Sequence, residues 1–434
     1  MLLSRFVRAP WWVLFLVLSL TPAMSVGADE ERTAPLALRD ALSRSLASSP
    51  TLAIYPWRER AADANILQAG LRPNPELAAE IENIAGTGPY SGTSAMNLTL
   101  ALSQVIELGD QRDYRRQAAE SVRGVASIDY DLARLDVLAE TARRFVEVAR
   151  YQALLELARR ASVLAVNMES VAKQRVQSGR SRPAELSQAR IERARIEIEQ
   201  EHAEHELAAA RIRLAASWGE TRAQFGDVLA NLEALPEIPT LDELLTRIEE
   251  TPGMQRYLAA ERVAAAQEAL ARANASQDLR VGVGVRHFEE TSDQALVLQF
   301  SMPLAVADRN QGEIAAARAD QRMTQAERHR ARVETHALLF GLYQELVHAR
   351  TEASALQDAV RPEAHSMLEQ VSQGYREGRF SYLELSAARR QLLEVEQAAI
   401  GAFARAHTVL IELERLTALP IVVQASSAHP EAHQ

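Results

Sequence analysis

The segment that decides the fold is GRSRPAELSQAR at residues 179–190, which recurs without a gap as GRFSYLELSAAR at residues 378–389. Seven of the twelve aligned residues are identical, namely Gly, Arg, Glu, Leu, Ser, Ala and Arg, and the second copy lies 199 residues after the first. Self-similarity over such a distance indicates an internal duplication. The sequence therefore predicts two units of the same design, each of about 200 residues.

The duplication sets the predicted domain organisation. We predict a first repeat at residues 29–229, a linker packed against the middle of the helices at residues 230–251, and a second repeat at residues 252–425. Residues 1–28 have a basic start, an apolar run and a small-residue ending, which is the pattern of a cleaved secretory signal peptide. Residues 426–434 are expected to form a disordered tail.

Each repeat contains a predicted β-hairpin, at about residues 76–105 and 279–303. Apolar and polar residues alternate along both, and turn-forming residues separate the two strands of each. Strands of roughly ten residues with one apolar face suit a membrane-spanning barrel. A half-buried sheet in a soluble domain shows the same alternation. The export signal and the duplication favour the barrel.

A helical hairpin follows each β-hairpin, at about residues 110–217 and 309–416. No proline occurs between Gly109 and Gly179, and apolar residues recur there at spacings of three and four. At about 1.5 Å per residue, the first outgoing helix would be roughly 100 Å long. Pro362 predicts a kink in the second outgoing helix. The predicted fold is therefore mainly α with a small β part, built on long antiparallel, coiled-coil-like helical hairpins.

Composition excludes several classes of protein. The 434 residues include no cysteine, which excludes disulfide scaffolds, thiol catalysis and a lipid-modified N-terminal cysteine. The formal net charge of −10 argues against a nucleic-acid binder. The sequence has no Gly-rich phosphate loop and no nucleophile constellation. We therefore expect no enzyme and no cofactor.

The arrangement as a whole resembles the TolC-type outer membrane efflux proteins. More narrowly, SQVIELGDQR at residues 103–112 is similar to the strand-to-helix signature of the CzcC-like branch, which serves heavy-metal efflux. The resemblance covers nearly all of the chain after the signal peptide. Val105 departs from the proline usual in the family, although Pro303 occupies the equivalent place in the second repeat.

The resemblance implies an assembly as well as a fold. Two β-hairpins supply four strands, too few to close a barrel whose open edges cannot face lipid. Members of this family are homotrimers, so three chains would together form a 12-stranded outer membrane β-barrel, an even number as is usual for such barrels. An α-helical tunnel would continue the barrel through the periplasm.

The resemblance also implies a gate at the helical tips. In the family, polar contacts between neighbouring helix pairs close the periplasmic end, which opens when an adaptor docks. Glu185 and Glu384 match positions where the family places acidic tip residues, and Tyr375 matches a tyrosine that bonds to the neighbouring pair. Arg180 and Arg379 are near enough in sequence to pair with these acids. The alternative is that the glutamates only favour a helix start.

Two further sets of residues have structural interpretations. Gly179 and Gly378 are predicted to be left-handed residues of the two tip turns. His202 and His205 are three residues apart on one helical face, and histidines at such spacing can chelate a metal. A solvated helix face is the favoured interpretation, so we predict no metal site.

These features predict the exit duct of a tripartite efflux system in the outer membrane of a Gram-negative bacterium. The expected partners are two further copies of the chain, a periplasmic adaptor (membrane fusion) protein, an inner-membrane transporter of the resistance-nodulation-division (RND) class and outer membrane lipid, with no nucleic acid. The expected cargo is divalent heavy-metal cations, and no lipid anchor is expected. Ducts for drugs or for type I protein secretion remain alternatives, and a periplasmic coiled-coil scaffold is the alternative from a different class.

Overall fold

The computed structural model describes residues 34–235 and 237–420, in which one order of elements occurs twice. The first repeat consists of β1 (Leu36–Ala37), α1 (Leu38–Ser48), α2 (Tyr55–Ala69), β2 (Glu76–Glu82), β3 (Asn97–Ile106), α3 (Gln111–Gln177) and α4 (Pro183–Ala215). The connecting segment and second repeat consist of β4 (Val228–Leu229), α5 (Leu241–Arg247), α6 (Pro252–Ala273), β5 (Leu279–Phe288), β6 (Gln294–Ser301), α7 (Gln311–Ala355), α8 (Arg361–Arg376) and α9 (Tyr382–Thr417). The predicted signal peptide, residues 1–28, and the predicted tail, residues 426–434, lie outside the described residues.

The prediction of a mainly helical chain with a small β part is confirmed. The two β-hairpins join into one antiparallel sheet with the strand order β2-β3-β5-β6. The two-residue strands β1 and β4 form a separate parallel pair. None of the helices among the described residues is both long and apolar enough to cross a membrane.

The helical hairpins are long because nothing interrupts them. Helix α3 runs for 67 residues without a break, which corresponds to roughly 100 Å. In the second repeat, a π-helical turn at Leu356–Val360 joins α7 to α8, and Pro362 follows directly in the first turn of α8. Proline cannot donate the helical hydrogen bond that would reach residue 358, inside this widened turn. The sequence feature that predicted a kink therefore coincides with a π-helical turn.

The apolar core lies at mid-length of the helices, where the two repeats meet. Phe145 of α3, Leu214 of α4 and Phe403 of α9 are each no more than 1% exposed and belong to one cluster. Within the segment predicted as a linker, Leu232 belongs to this cluster, whereas Leu244 of the short helix α5 belongs to a second cluster with Leu339 and Leu410. The carbonyl oxygen of Leu232 lies 3.0 Å from Nε2 of the buried His407.

The SQVIELGDQR segment at residues 103–112 forms the junction between β3 and α3. Gly109 approaches the loop before β5 so closely that an added Cβ would overlap the side chain of Ser276. Asp110 takes a left-handed conformation with φ of 55°. Gln111 is buried, and its Nε2 donates to the carbonyl oxygen of Ser276 at 2.9 Å. The signature therefore encodes a tight, specific joint between sheet and helix.

The second repeat builds its junction on the last turn of α6, directly before that loop. Asn310, directly before α7, has φ of 59°, and its Nδ2 donates to the carbonyl oxygen of Ala271 at 2.7 Å. Asn is one of the residues that most readily adopts the left-handed region. The end of α6 and the loop that follows it thus fix the directions in which α7 and α3, respectively, leave the sheet.

We expect Gly109→Ala to destabilise the protein by about 1–3 kcal/mol, because the added methyl group overpacks the contact with Ser276. The matched control is Gly124→Ala in α3, where nothing lies within 4 Å of the new Cβ. That control should gain up to about 1 kcal/mol from the better helix propensity of alanine. Thermal unfolding of the two purified variants makes the comparison. A Gly109→Ala protein that unfolds at the wild-type temperature would contradict the tight joint.

Candidate functional site

The four-stranded sheet exposes one continuous apolar face. Leu77, Leu102, Val283 and Leu298 are direct cross-strand neighbours, one from each strand. Their exposed fractions are 77%, 49%, 49% and 62%. The neighbouring row, from Ala79 to Leu296, continues the same face. Contiguous exposed apolar surface of this kind marks contact with a partner or a membrane.

The opposite face of the sheet is polar and carries paired charges. Arg286 of β5 forms an ion pair with Glu82 of β2 at 3.0 Å, and its Nε donates to Thr99 Oγ1 at 2.8 Å. Arg280 forms a second ion pair with Glu76. These arginines reach across β3, which lies between the strands that carry the partners. One face of the sheet is therefore suited to an apolar medium and the other to water.

The edges of the sheet are open in a single chain. Strands β2 and β6 are the outer strands, and each pairs on one side only within the described residues. Unpaired backbone groups at such an edge cannot be left in an apolar medium, because each one costs several kcal/mol there. An apolar setting therefore requires further strands from outside this chain.

The other candidate surface is the pair of tips at which the helical hairpins turn. Gly179 and Gly378 have φ of 69° and 81°, the left-handed conformation expected of tip turns. In each turn, the N–H of the residue after the glycine donates at 2.8 Å to the carbonyl oxygen five residues earlier. This bond satisfies a carbonyl group that the end of the helix leaves free.

Tyr375 connects the two hairpins near these tips. It is 2% exposed and lies beneath Arg175 of α3, whose guanidinium is 4.5 Å from the ring centroid. Arg175 also donates from Nη1 to the carbonyl oxygen of Tyr375 at 2.8 Å. Burial raises the pKa of the Tyr375 hydroxyl, Arg175 opposes this rise, and the charge of Glu185 adds to it. Of the predicted gate residues, the structure thus brings Glu185 and Tyr375 together.

Glu384 has a different environment. Its Oε2 accepts hydrogen bonds from the Ser381 N–H at 2.7 Å and from the Ser381 hydroxyl at 2.8 Å. These bonds hold the pKa of the Glu384 carboxyl below its ordinary value of 4.5. Ser381 in turn accepts from the Glu384 N–H, which completes a capping box at the start of α9. In this chain Glu384 therefore caps the start of α9, which is the role that the alternative interpretation gave to the tip glutamates.

Among the described residues, neither Arg180 nor Arg379 forms an ion pair with Glu185 or Glu384. Arg379 Nε donates to Glu377 at 2.7 Å, because Glu377 is two residues away and Glu384 is already held by its cap. Arg180 is exposed and has no ion pair within residues 34–235 and 237–420. An ion pair at the surface would add little to stability, because water already solvates an exposed arginine well.

Arg175 is a tip residue that the sequence analysis did not find. It lies in the last turn of α3, and the internal repeat gives no indication of it, because Gly374 occupies the equivalent position in the second repeat. Its contact with Tyr375 joins residues 200 positions apart. His202 and His205 are exposed on α4. Among the described residues, no group of three or more acidic or histidine side chains is placed to hold a metal ion.

Comparisons with known proteins agree with the resemblance found in the sequence. Residues 41–220 match the family described as outer membrane efflux protein. The chain is 28% identical over 386 residues to the cobalt-zinc-cadmium resistance protein CzcC of Cupriavidus metallidurans, covering 89% of this chain and 91% of that protein. It is 25% identical over 296 residues to the nickel-cobalt-cadmium resistance protein NccC of Alcaligenes xylosoxydans xylosoxydans, covering 68% of this chain and 67% of that protein.

A solved structure shows the same fold. The crystal structures of CusC concern conformational changes that accompany folding and transmembrane channel formation. CusC superposes on this chain with a TM-score of 0.72 at 17% sequence identity. The match covers 92% of this chain and 98% of CusC. The family match and the CzcC relative agree with the expectation of a channel rather than an enzyme.

Proposed function

We propose that this chain is the outer membrane exit duct of a tripartite efflux system that exports divalent heavy-metal cations, since residues 41–220 match the outer membrane efflux protein family. One observation carries the proposal. The sheet presents an exposed apolar face, in register across all four strands, opposite a polar face with paired charges. Such a two-faced sheet fits a barrel wall with lipid outside and water inside.

The duct is a homotrimer in the outer membrane. Four strands per chain and two open edges require other copies, and three chains, the number in the family that the sequence resembles, supply twelve strands. The long hairpins of α3–α4 and α7–α9 extend from the sheet as the wall of a periplasmic tunnel.

The duct has no energy source of its own, so it depends on partners. An inner-membrane RND transporter supplies the cargo, and a periplasmic adaptor protein joins that transporter to the helical tips. The similarity to CzcC and NccC, whose names state resistance to cobalt, cadmium, zinc or nickel, supports metal cations as cargo. Export of drugs or proteins is the alternative, because a duct of this kind need not itself select its cargo.

The helical tips form the gate of the resting channel. The contact of Arg175 with Tyr375 joins the two hairpins, and Glu185 adds its charge beside it. Glu384 contributes by holding the start of α9 in shape through its cap. When an adaptor docks, the hairpins separate at this contact and the tunnel opens.

A strain that lacks the gene should become sensitive to zinc, cobalt, cadmium or nickel, while its tolerance of hydrophobic antibiotics stays unchanged. The measurement is growth inhibition over graded concentrations of each compound. Wild-type protein should restore resistance, and Leu298→Arg should not, because a charge on the lipid face costs about 2–4 kcal/mol at the membrane midplane.

Gln299→Arg is the matched control, because it places the same charge on the polar face, and it should restore resistance. Sensitisation to antibiotics with intact metal tolerance would contradict the metal cargo and retain the duct. Equal complementation by the two arginine variants would contradict the assignment of the apolar face to lipid.

Arg175→Ala should raise the single-channel conductance of the protein in planar bilayers, because it removes the stacking and the hydrogen bond that join Tyr375 to the first hairpin. Tyr375→Ala should act in the same direction. Arg180→Ala is the matched control at the same tip and should conduct like the wild type, since its side chain has no ion pair among the described residues. Wild-type conductance in all three variants would contradict the gate.

A further inference from the structure

A polar contact between the two helical hairpins lies away from both tip turns. Glu192 of α4 accepts a hydrogen bond from the hydroxyl of Tyr382 at 3.0 Å. The hydroxyl of Ser386 lies 2.9 Å from each of its two carboxylate oxygens. Tyr382 and Ser386 are both on α9 and are each 3% exposed. One carboxylate of the first hairpin thus binds two buried donors of the second.

The surroundings of this contact are apolar. Ala172 of α3 and Leu385 of α9 are 0% and 1% exposed and pack in one cluster with Ala189, Tyr375 and Tyr382. Small and aliphatic side chains allow two helices to slide or separate without losing a specific bond. Hydrogen bonds to an ionised carboxylate are directional and about twice as strong as neutral ones. Glu192 therefore fixes the register of the seam between the hairpins.

A positive charge lies beside the carboxylate. Arg389 lines the same cavity as Glu192, and its Nε is buried without a hydrogen-bond partner among the described residues. Burial lowers the pKa of Arg389, while the charge of Glu192 acts in the opposite direction. The opposite charges of the two groups attract each other, which adds to the hydrogen bonds that hold the carboxylate in the seam.

The geometry points to Glu192 as a second latch between the two hairpins, one that must be released before the tips can separate. This inference rests on the proposed channel function. Glu192 lies about 13 Å along α4 from its start at the tip, at 1.5 Å per residue. It is thus separate from the contact of Arg175 with Tyr375 and acts on the same movement.

A carboxylate is well suited to a contact that must open and close. While the hairpins are together, Glu192 receives hydroxyl hydrogen bonds in an apolar seam, where they are strong. When the hairpins part, water hydrates the freed carboxylate and replaces these bonds. An apolar side chain at the same position would have no such compensation on exposure. The latch is therefore specific when closed, and its release costs little free energy.

The absence of cysteine allows a direct test of hairpin separation. Ala172→Cys places one thiol in the buried seam, where a maleimide should react slowly. Adding Glu192→Ala should accelerate labelling roughly tenfold, because it removes hydrogen bonds to a charged group. Adding Glu201→Ala, which changes an exposed residue of the same helix, should leave the rate unchanged. An unchanged rate with Glu192→Ala would overturn the inference.

Two further variants separate a latch from a general loss of packing. Ser386→Ala alone should accelerate labelling, and it should add little in the presence of Glu192→Ala, because both changes break one interaction. Fully additive effects would overturn the inference. If Glu192→Ala fails to fold, Glu192→Gln is the alternative variant, because it keeps the shape of the side chain and one acceptor. It should give an intermediate labelling rate. A wild-type labelling rate with Glu192→Gln would overturn the inference.

Single-channel conductance is the second readout, which a purely structural role would not move. Conductance should rise with the labelling rate across the variants. Faster labelling with unchanged conductance would overturn the latch while the channel itself stands. A wild-type protein that forms no channels in bilayers would instead contradict the proposed function, and the labelling rates would still report whether Glu192 holds the hairpins together.

Discussion

The constraint on which the rest of the structure depends is an apolar sheet face that one chain cannot cover. Leu77, Leu102, Val283 and Leu298 form a row across four strands, and no element among residues 34–235 and 237–420 packs on it. Two open edges add a second requirement, since their backbone groups need partners in lipid. Lipid would cover the apolar face, and further copies of the chain would pair with the edge strands. The proposed assembly and the proposed location therefore both follow from the sheet.

The helices depend on this sheet for their direction. Gly109 fixes its β-to-α junction on the loop after α6 and Asn310 on the last turn of α6, so that α3 and α7 leave the sheet in defined directions. Small residues and uninterrupted helical sequence then allow the hairpins to run side by side to their tips. The hairpins also contact each other through the core around Phe145 and Phe403 and through the ion pair of Arg415 with Asp136. Near the tips, the specific polar contacts are those of Arg175 with Tyr375 and of Glu192 with the hydroxyl groups of α9.

The fold was predictable from the sequence because its signals are local or repeated. The alternation of apolar and polar residues predicted both β-hairpins, and the absence of proline predicted the length of α3. The recurrence of residues 179–190 showed that the two halves of the chain share one design. The contacts at the tips were less accessible, because Arg175 and Tyr375 meet across 200 residues and the repeat has glycine in place of Arg175. Glu384 is the opposite case. Its environment is explained by the local capping bonds with Ser381, three residues earlier, better than by its match to a position of the family.

The most direct test of the account is the mass of the assembly extracted from the outer membrane. Membranes that contain the protein should retain it through a carbonate wash and release it only in detergent, and native mass spectrometry of the extract should give three chains. That result would place the apolar face in lipid and close the sheet edges between copies. A monomer that washes off with carbonate would contradict the account and would favour a periplasmic coiled-coil scaffold.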